Sequence, residues 1–281
     1  MNSRKTRADI PEWEGHVQYH IELKPGDIPN YVLLPGDPAR VDLITSVWDE
    51  SKEVQYYRQY RSARGKYKGK DIAVVSTGIG CPAVEIALVE LVRIGVHTFI
   101  RVGSTGALVK EINIGDLIIS SAAMRLDGAS RAYAPIEYPA VANLDVTLAL
   151  IKAAESLGIP YHVGITASTD SFYVGQERPG PKNYLPNWQR GLVDTLRKMN
   201  VLNFEMEVAT LFTLSSIFGV RSGAVCAVFA NRETNEFGKV GEREAALVAS
   251  EAIKILQEWD EERIDKNKGK YWFPFFEKKS I

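Results

Sequence analysis

Residues Ile72 to Leu108 constrain this chain more than any other stretch. They open with Ile-Ala-Val-Val-Ser-Thr-Gly-Ile-Gly-Cys-Pro-Ala, an apolar β-branched run broken by two glycines. That pattern predicts a strand buried on both faces, followed by a sharp turn. Pro82 stands where the first turn of a helix tolerates it, and Val84, Ala87, Leu88 and Leu91 repeat with the spacing of one buried helix face. Gly95 closes the helix, and Thr98 to Val102 forms a second buried strand. A strand–helix–strand unit of this kind crosses over right-handed in a parallel sheet.

Arg101 lies inside the second strand and is followed by Gly103-Ser104-Thr105-Gly106. A charge in a buried strand needs a partner, because an unpaired one is costly. A glycine turn with exposed N–H groups and two hydroxyls would complete a cradle for a phosphate or carboxylate at the C-terminal edge of the sheet. An internal pair between Arg101 and a carboxylate, beside a plain turn, accounts for the same residues.

The remaining elements follow the same alternation. Residues 1–16 form a polar N-terminal arm, and Tyr31-Val32-Leu33-Leu34 is a buried strand that delivers Pro35-Gly36-Asp37-Pro38-Ala39-Arg40. Asp37 is placed to cap a helix beginning at Pro38, with Arg40 in its first turn, where the helix dipole disfavours a cation unless an anion sits nearby. Gln55 to Tyr60, with Arg58, reads as one arm of a hairpin whose turn is Lys66 to Lys70. Further strands are expected at Gly115–Ser121, Tyr161–Ala167 and Gly223–Ala230, and helices at Asp145–Leu157, after Phe204–Glu207, and from Glu242 to about Asp260. Ser168 to Trp188 is a long loop rich in Gly, Pro and aromatic residues. The result is a single α/β domain over 17–265, with a central mixed sheet flanked by helices, and an aromatic tail at 266–281 that docks on its own domain or on a neighbouring subunit.

Composition excludes several classes. A net charge of −1 gives no nucleic-acid footprint, and no apolar run is long enough for a membrane span. The four histidines lack metal-ligand spacing, and Cys81 and Cys226 sit in apolar contexts that fit reduced thiols and a cytoplasmic setting. Gly78-Ile79-Gly80-Cys81-Pro82-Ala83 matches a dinucleotide fingerprint, yet the next strand carries Arg101 where an acidic ribose partner belongs. A polyanion site built from Arg40, Arg58 and Arg101 with Gly36 and the Ser104-Thr105 turn fits better. Glu205-Met206-Glu207, at a strand-to-helix junction, could accept hydrogen bonds from sugar hydroxyls or simply match the helix dipole.

Pro35–Arg40, Ser76-Thr77-Gly78-Ile79-Gly80, Arg101–Gly106 and Phe204–Glu207 together resemble the nucleoside phosphorylase-I family. Arg125–Ser130 and Phe172-Tyr173-Val174-Gly175-Gln176-Glu177-Arg178 are similar to its uridine phosphorylase branch, and the likeness runs from about Tyr19 to about Leu256. The resemblance implies that fold and the reversible phosphorolysis of uridine to uracil and ribose 1-phosphate, with phosphate as co-substrate and no cofactor or metal. It implies a phosphate site of Gly36, Arg40, Arg101, Ser104 and Thr105, with Arg58 supplied by the neighbouring subunit. Ribose would be held by Thr105, Met206 and Glu207, with His20 from the neighbour. Gln176 and Arg178 would read the base, packed by Phe172, Gly106, Phe204 and Phe229. Arg101, Gln176, Arg178 and Glu207 would be the catalytic set, in a hexamer built of dimers with shared sites. Gln59 and Ala83 depart from the branch's monovalent-cation site, so no cation is carried over. A purine nucleoside phosphorylase of the same fold would place an Asp where Asn231-Arg232 stands, and a non-catalytic nucleoside-binding protein is the rival from another class.

Overall fold

The Ile72–Leu108 unit folds as a strand, a helix and a strand, but the last strand is twice the expected length. The computed structural model describes residues 7–276; expectations for residues 1–6 and 277–281 lie outside the described residues. The strands are β1 (Glu12–Trp13), β2 (Val17–Gln18), β3 (Tyr31–Pro35), β4 (Glu50–Tyr57), β5 (Tyr60–Tyr67), β6 (Lys70–Val75), β7 (Thr98–Ala107), β8 (Leu117–Leu126), β9 (Ala140–Val141), β10 (Tyr161–Thr169), β11 (Val201–Glu205), β12 (Arg221–Asn231) and β13 (Glu236–Phe237). The helices are α1 (Arg40–Thr45), α2 (Cys81–Arg93), α3 (Ala129–Tyr133), α4 (Leu144–Leu157), α5 (Leu192–Lys198), α6 (Val208–Phe218) and α7 (Glu242–Asp265).

One mixed sheet carries the molecule. β3 lies between β6 and β7 and runs parallel to both. β7 also pairs in parallel with β12 over almost its whole length, and β12–β8–β10–β11 leads back to β7. These strands therefore close on themselves, while β3, β6, β5 and β4 extend the sheet to one side. Helices cover both faces. Leu33, Ile100, Val225 and Ala227 pack with α4 and α7 on one side. Val32, Leu34, Val75 and Phe99 pack with α2 and α6 on the other. Covering both faces is why these strands read as continuous apolar runs.

Three expectations are corrected. Gly103-Ser104-Thr105-Gly106 is not a turn; it is the second half of β7, paired with Cys226 to Ala230 of β12. Gly103 is there for space, since a Cβ would stand 2.8 Å from the Cys226 sulfur. Gln55 to Tyr60 is not one arm of a hairpin, because the chain reverses at Arg58-Gln59 between β4 and β5, with Arg58 at φ 56°. That turn has no Gly, Pro or Asn to announce it. The helix after Asp37 begins at Arg40, and the Asp37 carboxylate instead accepts the Ala39 N–H at 2.9 Å, closing the preceding turn.

The described part of the tail docks on its own domain. Phe273 is buried edge-on against Trp259 of α7 at 5.4 Å between ring centroids, with the Arg263 guanidinium 5.0 Å from its ring. Arg263 also joins a buried ion cluster: it donates to Asp145 of α4 at 2.8 Å and to Asp260 at 3.1 Å. Arg221 of β12 grips Asp260 at 2.6 and 2.9 Å, and the Tyr31 hydroxyl donates to the same carboxylate at 2.7 Å. Among the described residues no helix is long and apolar enough to cross a membrane.

Candidate active site

The topology brings distant residues to one rim. β3, β7 and β12 run parallel and deliver Gly36, Arg101 to Gly106, and Phe229 to Arg232. β11 meets β7 antiparallel and brings in Phe204 and the Glu205–Glu207 junction. Between them lies a pocket of about 720 Å³, inside the range for small-molecule sites. Gly36, Arg40, Arg101, Ser104 and Thr105 line it, together with Met206 and Glu207. Phe172, Gln176, Arg178, Gly106, Phe204 and Phe229 line it as well.

Arg101 is buried and makes the internal ion pair that the sequence left open: its Nη2 lies 2.7 Å from Glu207 Oε2. Its Nη1 donates to the Thr77 hydroxyl at 3.1 Å, while its Nε is buried with no hydrogen-bond partner among the described residues. Each terminal nitrogen carries a second N–H, and a guanidinium lining the pocket in this way can offer these to an anion. Gly36 lets the guanidinium in, because a Cβ there would meet Nη2 at 3.1 Å. Arg40 donates through Nε to Glu242 at 2.7 Å and lies over the Phe229 ring. The Thr105 hydroxyl donates to the Phe204 carbonyl at 2.6 Å and accepts from Asn203.

The two carboxylates have different duties. Glu207 Oε1 accepts the Gly80 N–H at 2.7 Å, so the glycines that resembled a dinucleotide fingerprint serve this carboxylate. Glu205 closes the start of α6, accepting the N–H groups of Glu207 and Val208 at 2.7 and 2.9 Å. It also accepts the Ser168 hydroxyl. Burial, and then the neighbouring charge of Glu207, push the Glu205 carboxyl from its ordinary 4.5 up to about 7. Between those values the folded chain holds a proton that the unfolded chain has released, so raising the pH across this window weakens folding. Glu205→Gln removes that contribution: its melting temperature should fall less than wild type between pH 5 and about 7. Parallel wild-type and variant curves would disprove the shift.

Gln176 is buried, donates to the Thr169 hydroxyl at 3.1 Å and accepts from Arg178. Arg178 stacks over Phe172 at 4.3 Å and donates to that residue's carbonyl. Burial first, then the charge of Arg232, lowers Arg178 to about 10, which leaves it protonated at neutral pH. Arg232 donates to the Gln176 carbonyl at 2.7 Å and so holds the segment that carries Gln176. Sequence reasoning passed over Arg232, although an Arg ending an apolar strand is the same signal that exposed Arg101. It also passed over Glu205 as an anchor and the rim formed by Asn235, Glu236 and Phe237. Asn231 is fully engaged, donating to the Val109 and Ile112 carbonyls and accepting from Glu233.

Two expected residues are not in this pocket. Arg58 is in the β4–β5 turn, bonded to the Tyr19 hydroxyl, and His20 is held by Glu90 at 2.6 Å. The resemblance expects both from a neighbouring subunit, and neither lines the pocket of its own chain. Among the described residues no cluster of His, Cys, Asp or Glu could hold a metal ion.

The sequence pattern of the phosphorylase superfamily matches residues 30–257, the span that contains every pocket element described above. This chain belongs to the phosphorylase superfamily. A uridine phosphorylase of Thermococcus kodakarensis is 63% identical over 98% of this chain and 99% of its own length. A uridine phosphorylase of Escherichia coli is 40% identical over 85% of this chain and 95% of its own. A guanosine phosphorylase of Halorubrum lacusprofundi is 38% identical over 76% of this chain and 83% of its own. The pocket brings together the cations Arg40 and Arg101 and the Gln176–Arg178 pair.

Proposed function

We propose that this chain is a uridine phosphorylase, cleaving uridine with phosphate to uracil and ribose 1-phosphate. One observation carries the reading: a single pocket is lined by the paired cations Arg40 and Arg101 and by the stacked Arg178–Gln176 pair. Phosphate is held by Arg101, Arg40, Gly36, Ser104 and Thr105, and ribose by Glu207 and Met206 with Thr105. Arg178 and Gln176 face the base, with Phe172, Gly106, Phe204 and Phe229 around it. As the glycosidic bond breaks, its electron pair passes to uracil N1 and the sugar becomes oxocarbenium-like. Anionic phosphate stabilises that positive charge and forms the new bond to C1′. Arg178 donates to the growing negative charge on the uracil carbonyl, an interaction stronger in the transition state than in the ground state. The reaction needs no cofactor.

A functional unit of at least two chains goes with this reading, since Arg58 and His20 lie outside their own pocket and would complete a neighbour's; we propose a hexamer built of three such dimers, acting in the cytoplasm. The Halorubrum relative supplies the specific alternative, a purine nucleoside phosphorylase. Against it, the end of β12 offers Asn231, whose side chain is consumed by backbone groups, where a purine enzyme needs an acid to protonate the departing base. Free base released from uridine and from guanosine, each with and without phosphate, is the test. Phosphate-dependent release from uridine is the expected result. Faster release from guanosine would overturn the base assignment, and phosphate-independent release would overturn phosphorolysis.

A further inference from the structure

We infer that Glu242, at the start of α7, is a positioning residue for phosphate. It touches no substrate; it acts by fixing Arg40. The inference rests on the proposed phosphate site and goes beyond it in naming what prepares that site.

Arg40 and Glu242 come from opposite ends of the sequence and meet at the edge of the pocket, each with a side chain only 14% exposed. The contact uses Nε of Arg40, 2.7 Å from Glu242 Oε1. Among the described residues the two terminal nitrogens of Arg40 make no hydrogen bond, so its outer edge remains available for an oxyanion. That edge is the one a guanidinium uses for paired hydrogen bonds to phosphate oxygens. The Phe229 ring, 5.5 Å from the guanidinium carbon, limits the other direction in which the side chain could swing. Arg40 is the first residue of α1, a six-residue helix anchored in the core by Val41 and Ile44, so the helix fixes its backbone while its side chain depends on its own contacts. Glu242 belongs to the 24-residue α7, which packs along the core. The pair therefore ties a mobile-by-nature side chain to the longest rigid element in the molecule. Lys239 approaches the other oxygen of Glu242 at 3.5 Å but is mostly exposed, so it leaves the Arg40 contact intact.

An arginine already held in its binding geometry loses less conformational freedom when the anion arrives. Losing the tether should therefore raise the KM for phosphate while the KM for uridine stays within about twofold. We expect Glu242→Ala to raise the phosphate KM about tenfold. Glu242→Gln, which keeps an oxygen to accept the Nε–H, should recover most of that loss. A residue that only supports the fold would move both KM values together and would not be rescued selectively.

The experiment measures both KM values and kcat for wild type, Glu242→Ala, Glu242→Gln and Arg40→Ala, with the melting temperature of each. A selective rise in phosphate KM for Glu242→Ala, rescued in Glu242→Gln, supports the inference. Unchanged or lowered phosphate KM in Glu242→Ala, with Arg40→Ala still impaired, overturns it and leaves the phosphate site standing. Should Arg40→Ala itself leave phosphate KM unchanged, the site reading fails, and the inference with it. If Glu242→Ala does not fold, Glu242→Gln decides alone: the inference requires its phosphate KM to stay within about threefold of wild type while Arg40→Ala exceeds tenfold.

Discussion

Replacing Arg101 by Ala is expected to lower phosphate-dependent uracil release by about a thousandfold, roughly 4 kcal/mol of transition-state stabilisation. The size follows from position. Arg101 is buried in β7 and lines the pocket, with its guanidinium fixed by Glu207 and Thr77 while N–H groups on its terminal nitrogens remain to bind an anion. Arg40, which lines the same pocket, is tied through its Nε to Glu242 and so keeps its own position instead of taking over that of Arg101. The substitution also strips Glu207 of its ion pair, leaving the Gly80 N–H as a remaining donor. Ribose binding should therefore weaken along with phosphate binding. Arg101→Lys keeps the charge without the planar fork and should retain a small part of the rate while folding normally. Initial rates for the three proteins, with circular dichroism to confirm folding, decide the matter. Wild-type turnover in a folded Arg101→Ala protein would remove the phosphate assignment.

The second large effect is on stability. Asp145→Ala should destabilise the fold by about 3–5 kcal/mol, because it leaves Arg221 and Arg263 buried with Asp260 as their shared counter-charge. For a chain of this size that is on the order of a 10 °C fall in melting temperature. The aromatic tail should loosen in the same variant, since Arg263 donates to the Trp272 carbonyl and lies against Phe273. Hydrogen exchange around residues 269–275 reports the second effect. A melting temperature within 2 °C of wild type would show that the cluster contributes nothing net, as some buried ion pairs do.

Much of the local architecture was legible in the chain. The α2 face of Val84, Ala87, Leu88 and Leu91 is buried as its spacing required, and α4 stops at Gly158 in the left-handed conformation. The glycines of β7 misled for a physical reason. Glycine marks both a turn and a close approach of neighbouring groups, and only the partner strand tells them apart. Here the partner is β12, more than a hundred residues away, with Cys226 against Gly103. Arg58 misled in the opposite way, since its turn carries no turn residue and is imposed by the pairing of β4 with β5.

The same division holds for the site. The residue types, their motifs and the α/β alternation are properties of the sequence alone, because periodicity and turn chemistry act over a few residues. Which groups meet is a property of the tertiary structure. Arg101 finds Glu207, Glu205 caps α6, Arg232 steadies Gln176, and Glu242 holds Arg40. Except for the Glu205 cap, each pairing joins segments brought together by strand register or helix packing. No local pattern encodes such meetings; the burial of both sheet faces, and the charge pairing that burial demands, decides them.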